Sequence, residues 1–327
     1  MILVSVFVSS CDFKKQKELP KTSGKINVIS VIIDDKLWDG EVGDSIRNKF
    51  ASPVLGLPQE EPLFTINQFP TNLFDGFMNN CRNIVVIKKA TSNNFSVKEN
   101  EFAKPQNVYY ISGKNASEII EILEENTNSI VKKIKQTELA ENQRLNDTLL
   151  FNTSKIKTRL SIDLKVPNSF KSVYKTSRFI WLKKEITSGN TSLLLYQIPI
   201  QSFDKNKDVA NLITGIRDSI GSLYVHGRVK NSRMLTENAY APYLGYTVID
   251  KRYAYETKGT WEMQNDFMSG PFINYFIVDK PNKRVVVAEG FCYAPSKEKR
   301  DLMFELEAII KTIKFIKPQK IKKSQKK

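Results

Sequence analysis

Residues 252–263 read Arg-Tyr-Ala-Tyr-Glu-Thr-Lys-Gly-Thr-Trp-Glu-Met, and their alternation decides how the second half of the chain is built. Tyr253, Tyr255, Thr257, Gly259, Trp261 and Met263 fall on one side of an extended backbone. Arg252, Glu256, Lys258, Thr260 and Glu262 fall on the other, joined only by the small Ala254. A period of two marks a strand with one packed and one polar face. Two more strand-length runs follow, Phe272–Val278 and Arg284–Tyr293, joined by the turn-rich Asp279-Lys280-Pro281-Asn282-Lys283 as a hairpin. Upstream, Phe179–Leu182 and Ser192–Ile200 read as strands, and Arg159–Val166 alternates with Leu160, Ile162, Leu164 and Val166 on one face. Helices are expected over Asp208–Leu223 and from about Ser296, the latter with Leu302, Met303, Leu306, Ile309, Ile310 and Ile313 as its core face. Residues 151–316 therefore predict an antiparallel sheet with helices packed on one face.

The first half has a different texture. Ile26–Ile33 and Asn83–Ile87 are continuous apolar runs of strand length, as buried parallel strands require, and Leu63–Phe69 and Val108–Ser112 are further strands. Helices are expected over Lys36–Phe50 and Leu73–Asn80. The best-marked helix starts at Asn115, with Glu118 in capping-box relation to it, and runs to about Leu145. Ile119, Ile120, Leu123, Thr127, Ile130, Val131 and Ile134 form its stripe; its acids come early and its bases late, as the macrodipole favours. Residues 26–150 predict a sandwich-like α/β domain, so the whole chain reads as α+β, without internal sequence repeats.

The length of 327 residues suits two domains, and a hydrophobic content of 41% supports a real core. The net charge of +15 is diffuse apart from the tail 317–327, where Lys317, Lys320, Lys322, Lys323, Lys326 and Lys327 meet no acid; such a segment reads as solvated and disordered. Aromatic residues fall at core spacing rather than among basic clusters, so no nucleic-acid partner is expected.

The N-terminus reads Met-Ile-Leu-Val-Ser-Val-Phe-Val-Ser-Ser-Cys, ending at Cys11. A short apolar run closed by Val8-Ser9-Ser10-Cys11 has the form of a lipoprotein signal: residues 1–10 as signal peptide, cleavage before Cys11, and lipid on its thiol. The apolar run is too short to span a bilayer, and the usual basic n-region is expected upstream of Met1. Residues 11–25, rich in lysine and broken by Pro20 and Gly24, read as a lipidated tether. Cys81 and Cys292 then remain. A disulfide between them suits an oxidising compartment, while the apolar surroundings of Cys292 favour a buried free thiol.

Chemistry is sparse. The single histidine, His226, follows a helix and reads as a satisfied loop residue; it removes any histidine-cluster metal site, and no Gly-x-Ser-x-Gly elbow exists to give it a nucleophile. No phosphate-binding glycine loop is present, and neither metal nor cofactor is expected. Glu256 and Glu262, six residues apart on one strand face, would stand about 20 Å apart, too far for a glycosidase pair. Ion pairs with Arg252 and Lys258 on a solvated face are the plainer reading.

The segment Trp261-x3-Asn265-Asp266-x-Met268-x-Gly270-Pro271, with Arg252 before it and Gly290–Pro295 after it, resembles a family of uncharacterised lipoproteins of the Bacteroidetes. The resemblance runs from Cys11 to about Phe315 and implies an envelope location. It brings no catalytic residue, substrate or cofactor. Asn265-Asp266 and Gly270-Pro271 suit a tight corner between strands. The other reading is a ligand-facing loop of Trp261, Glu262, Asn265 and Asp266. Three functions follow in order: a non-catalytic lipoprotein, anchored to the membrane by Cys11 and facing the periplasm, that binds an envelope protein or small ligand; an envelope hydrolase using Glu262, Asp266 or His226; and a cytoplasmic basic protein binding nucleic acid through its tail.

Overall fold

The computed structural model describes residues 18–74, 79–204 and 208–316. Cys11 with the signal segment, the middle of the expected Leu73–Asn80 helix (residues 75–78) and the tail 317–327 lie outside the described residues. Of the expected tether, the chain is engaged from Pro20 onward: Lys104 N–H donates to the Pro20 carbonyl (2.8 Å), and Ser23 N–H donates to the Asn80 carbonyl (2.9 Å).

The first half opens with β1 (Val28–Ile33), α1 (Asp35–Trp38) and α2 (Glu41–Phe50). The helix expected over Lys36–Phe50 is thus two, separated at Asp39-Gly40, both poor helix formers. Next come β2 (Thr65–Phe69), β3 (Asn83–Lys89), β4 (Asn94–Glu99), β5 (Asn107–Gly113) and α3 (Ala116–Asn146). The sheet order is β2-β1-β3-β5-β4, with β4 alone antiparallel. Both faces of the parallel strands are apolar, which explains their unbroken hydrophobic runs. Ile29, Val31 and Ile33 meet α2 and α3, while Ile32 joins Ile84, Val86 and Val108 on the far side.

α3 is capped as its sequence requires, Glu118 N–H donating to Asn115 Oδ1 at 3.0 Å. Its stripe buries Ile119, Leu123, Thr127, Ile130 and Ile134, then continues at the same spacing into Glu138. That carboxylate is fully buried. It accepts from Arg82 Nε (2.7 Å), Asn83 Nδ2 (2.5 Å) and Asn27 N–H (2.9 Å). The apolar stripe therefore ends in a polar layer beneath the first residues of the central strands.

The second half holds α4 (Ser154–Leu160), β6 (Ile162–Asp163), β7 (Lys171–Lys175), β8 (Phe179–Ile186), β9 (Gly189–Pro199), α5 (Gln201–Asp204) and α6 (Val209–Tyr224). It continues with β10 (Arg233–Thr236), β11 (Tyr243–Ile249), β12 (Arg252–Gln264), β13 (Ser269–Asp279), β14 (Arg284–Tyr293), α7 (Arg300–Ile310) and β15 (Lys314–Phe315). Eight strands form one antiparallel sheet in the order β10-β12-β13-β14-β9-β8-β7, with β11 pairing beside β10 along the long β12. The fold is α+β. Leu306, Ile309 and Ile310 of α7 and Ile156 and Leu160 of α4 cover one sheet face. The opposite face also carries helices: Ile213 of α6 and Phe203 of α5 pack there with Trp261, Phe272 and Phe276.

The strand expected over Arg159–Val166 is corrected in part. Its start is the end of α4, and Ser161 turns the chain with a positive φ of 47°. Leu160, Ile162, Leu164 and Val166 are nevertheless all buried, so the alternation reported burial and not continuous pairing.

Glu138→Ala would strand the Arg82 guanidinium in the interior, which costs about 3–5 kcal/mol. Denaturant unfolding should show that loss, against a change within about 1 kcal/mol for Glu99→Ala in the exposed Lys133–Glu99 pair.

Candidate functional site

The two sheets meet at the N-terminus of α7. Glu61, on the loop before β2, is buried, and its carboxylate accepts the N–H groups of Lys299 (2.7 and 2.9 Å) and Arg300 (2.7 Å). A carboxylate is well placed on the positive end of a helix. Arg300 Nη1 in turn donates to the Pro62 carbonyl (2.9 Å) and Thr65 Oγ1 (3.2 Å), and Asn27 Nδ2 donates to Asp301 Oδ1 (2.9 Å). Further along, Gln143 of α3 donates to the Ala308 carbonyl of α7 at 3.0 Å.

These contacts hold the two halves around a cavity of about 520 Å³. One wall is α3, through Val131, Lys135 and Leu139 at four-residue spacing; the others are the 54–57 loop, β12 and β13 at Lys258 and Pro271–Ile273, and α7 from Met303 to Lys311. Gly56 makes the loop's close approach possible. Its φ is +82°, and a Cβ there would stand 2.9 Å from Lys258 Cβ.

The polar end of the cavity is a small charge network. Lys258 Nζ lies 3.1 Å from Glu256 and 3.9 Å from Glu307, and Lys311 Nζ lies 2.5 Å from Glu307. Burial would raise the Glu307 carboxyl, but Lys258 and Lys311 hold it below the usual carboxylate range. Burial likewise works against the Lys258 ammonium, and Glu307 and Glu256 overcome it and raise its pKa. Lys135, on an exposed turn of α3, is compensated only in part: the surrounding protein and then Lys258 lower its pKa by more than Glu307 and Glu256 raise it. The Tyr275 hydroxyl is buried beside the Glu307 and Glu256 carboxylates, and burial first and then those carboxylates raise it well above its ordinary value. The Glu256–Lys258 pair expected on a solvated face is present, but it belongs to a cavity roofed by the other half of the chain.

The residues of the candidate loop do not converge. Trp261 is corrected from ligand-facing to core: it is 1% exposed, and its indole N–H donates to the Cys292 carbonyl at 3.2 Å. Glu262 follows it on the opposite face of β12 and is exposed. Asn265 takes a positive φ of 64° in the β12–β13 turn. Asp266 accepts from Arg228 N–H (2.9 Å) and Phe267 N–H (2.8 Å), which makes it the pin of that turn. His226 Nδ1 contacts the Ser232 carbonyl at 2.8 Å, a satisfied loop histidine. Cys81 and Cys292 are both free, and burial pushes the Cys292 thiol up to about 12. Among the described residues no group of three or more His, Cys, Asp or Glu is placed to hold a metal ion, and no helix is long and apolar enough to cross a membrane.

Sequence reading passed over Lys135 and Glu307, though each left a trace. Lys135 interrupts an i, i+4 row between Val131 and Leu139, and Glu307 stands one turn after Met303 and one turn before Lys311. If Asp266 is a pin and not a ligand group, Asp266→Ala should cost about 1–3 kcal/mol in unfolding measurements and leave the cavity between the halves unaltered.

Residues 22–147 match the family model described as a domain of unknown function (DUF8532), and residues 150–312 match a second domain of unknown function (DUF4837). No curated protein matches the chain. Among solved structures, the Ran-binding protein Mog1p of Saccharomyces cerevisiae is similar at 9% identity with a TM-score of 0.30, covering 48% of this chain and 90% of its own. A point mutant of protein Mog1 gives 8% identity and a TM-score of 0.28, over 48% of this chain and 91% of its own. Each half of the chain thus matches the model of an uncharacterised domain family.

Proposed function

We propose that this protein is a lipid-anchored, non-catalytic binding module of the bacterial cell envelope, tethered through Cys11 and facing the periplasm. Its ligand sits in the cavity between the two halves. The observation that carries the binding role is the charge state of that cavity. A general acid or base works best with a pKa near the working pH. Here Glu307 is held below the ordinary carboxylate range and Lys258 above the ordinary ammonium range, each by the other. Both are fixed as ions across the neutral range, which suits these two groups to holding a ligand and not to exchanging protons with it. Anchoring is supported by Val8-Ser9-Ser10-Cys11, and Lys14, Lys15 and Lys17, ahead of the point where the chain joins the domain, suit a tether near anionic lipid.

Fatty-acid labelling in the native bacterium tests the anchor. Label should follow the wild-type chain into the membrane fraction and vanish from a Cys11→Ser variant, which should be released. An unlabelled wild-type chain in the cytoplasm sinks this reading. The charge state has its own test. A carboxylate lowered by folding contributes stability above its ordinary value of 4.5, and that stability is lost as the pH falls through its folded value. Thermal melts stepped from about pH 6 to pH 3 should therefore fall more steeply for the wild type than for Glu307→Gln.

A further inference from the structure

We infer that the cavity between the halves takes a single-chain amphiphile with an anionic head group, an inference that rests on the binding role proposed above. Three ammonium groups, from Lys135, Lys258 and Lys311, face two carboxylates, from Glu256 and Glu307. Lys258 and Lys311 hold those carboxylates at 3.1 and 2.5 Å. Arg300, which also lines the cavity, is paired with Asp301, whereas Lys135 and its neighbour Lys132 have no ion-pair partner among the described residues, so the lining carries an excess of positive charge. The Lys135 ammonium is discouraged both by the protein around it and by Lys258. A bound anion relieves both effects at once, because it supplies the opposite charge that the cavity lacks.

Around these charges much of the lining is apolar, from Leu55, Leu57, Val131, Leu139, Met303 and Phe304. Leu55 stays 57% exposed at the rim, a large apolar side chain that the fold itself leaves uncovered. The volume of about 520 Å³ lies within the range of small-molecule sites, and the form is concave, which suits a chain entering and not a protein surface. Excess positive charge beside apolar lining selects an anionic head and one hydrocarbon chain. A free fatty acid and a lysophospholipid bearing a phosphate share this chemistry.

The test is displacement of a dansyl-labelled undecanoic acid from the full-length chain carrying Cys11→Ser, which keeps the protein's own lipid out of the sample. Dodecanoate should displace the probe, its methyl ester should be at least ten-fold weaker, and acetate should have no effect. Lys135→Glu and Leu55→Asp both alter exposed side chains, so each should keep the wild-type melting curve while weakening the probe ten-fold or more. Tighter displacement by lysophosphatidic acid than by dodecanoate identifies the head as phosphate, and the reverse order identifies it as carboxylate; both support the inference. A methyl ester that competes as well as the acid, with binding still sensitive to Leu55→Asp, overturns the anionic head and leaves the binding role standing. Probe binding indifferent to both substitutions, or no binding of any amphiphile, overturns the cavity as the site as well.

Discussion

A continuous run of hydrogen bonds joins the two halves of this chain, and the rest of the structure is arranged around it. It starts at Arg82, passes to the buried Glu138 of α3, then through the backbone and side chain of Asn27 to Asp301, and through Arg300 to Glu61. Glu61 and Arg300 are 239 residues apart in sequence. Charged groups taken out of water are tolerated only when their partners are well placed. Each member of this run therefore constrains the next, and α7 has one position relative to α3. The cavity between the halves is a consequence of that position.

The same economy of partners separates the cavity from the other buried charges. Arg217 and Glu289, each 1% exposed, lie 3.0 Å apart beneath α6, with Arg217 stacked 3.9 Å over the Phe272 ring. Burial raises the Glu289 carboxyl despite the arginine. That pair is enclosed by the core of the second sheet. The Lys258–Glu307 pair instead faces the chamber, beside a third ammonium on α3, and so has room for a further charge that the Arg217 pair lacks.

Much of the fold was legible because packing writes a period into the sequence. The alternation of residues 252–263 placed Tyr253 to Met263 on one face of β12, and the capping box at Asn115 located the start of α3 to the residue. Elements without a buried stripe went unseen. β7, Lys171–Lys175, is exposed throughout, and β11 leaves Tyr243, Tyr246 and Val248 in solvent, so neither carries a core pattern to read. The strand-like alternation of Arg159–Val166 takes in only the last two residues of α4, because Leu160, Ile162, Leu164 and Val166 are buried across a helix end, where burial and secondary structure part company.

By itself the sequence determined the two textures of the chain, parallel and antiparallel, and the main helices, since these depend on residues close together. It pointed to the segment around Trp261 and Asp266 as a candidate site, and there the side chains serve the core and a turn. The cavity was decided only by tertiary structure. Lys135, Lys258 and Glu307 come from a helix of the first half, a strand of the second and the last helix of the chain, and no spacing rule links them. Their charges acquire meaning only once Glu61 and Asn27 fasten α7 in place, because electrostatic coupling acts through space and is strong only where water has been removed.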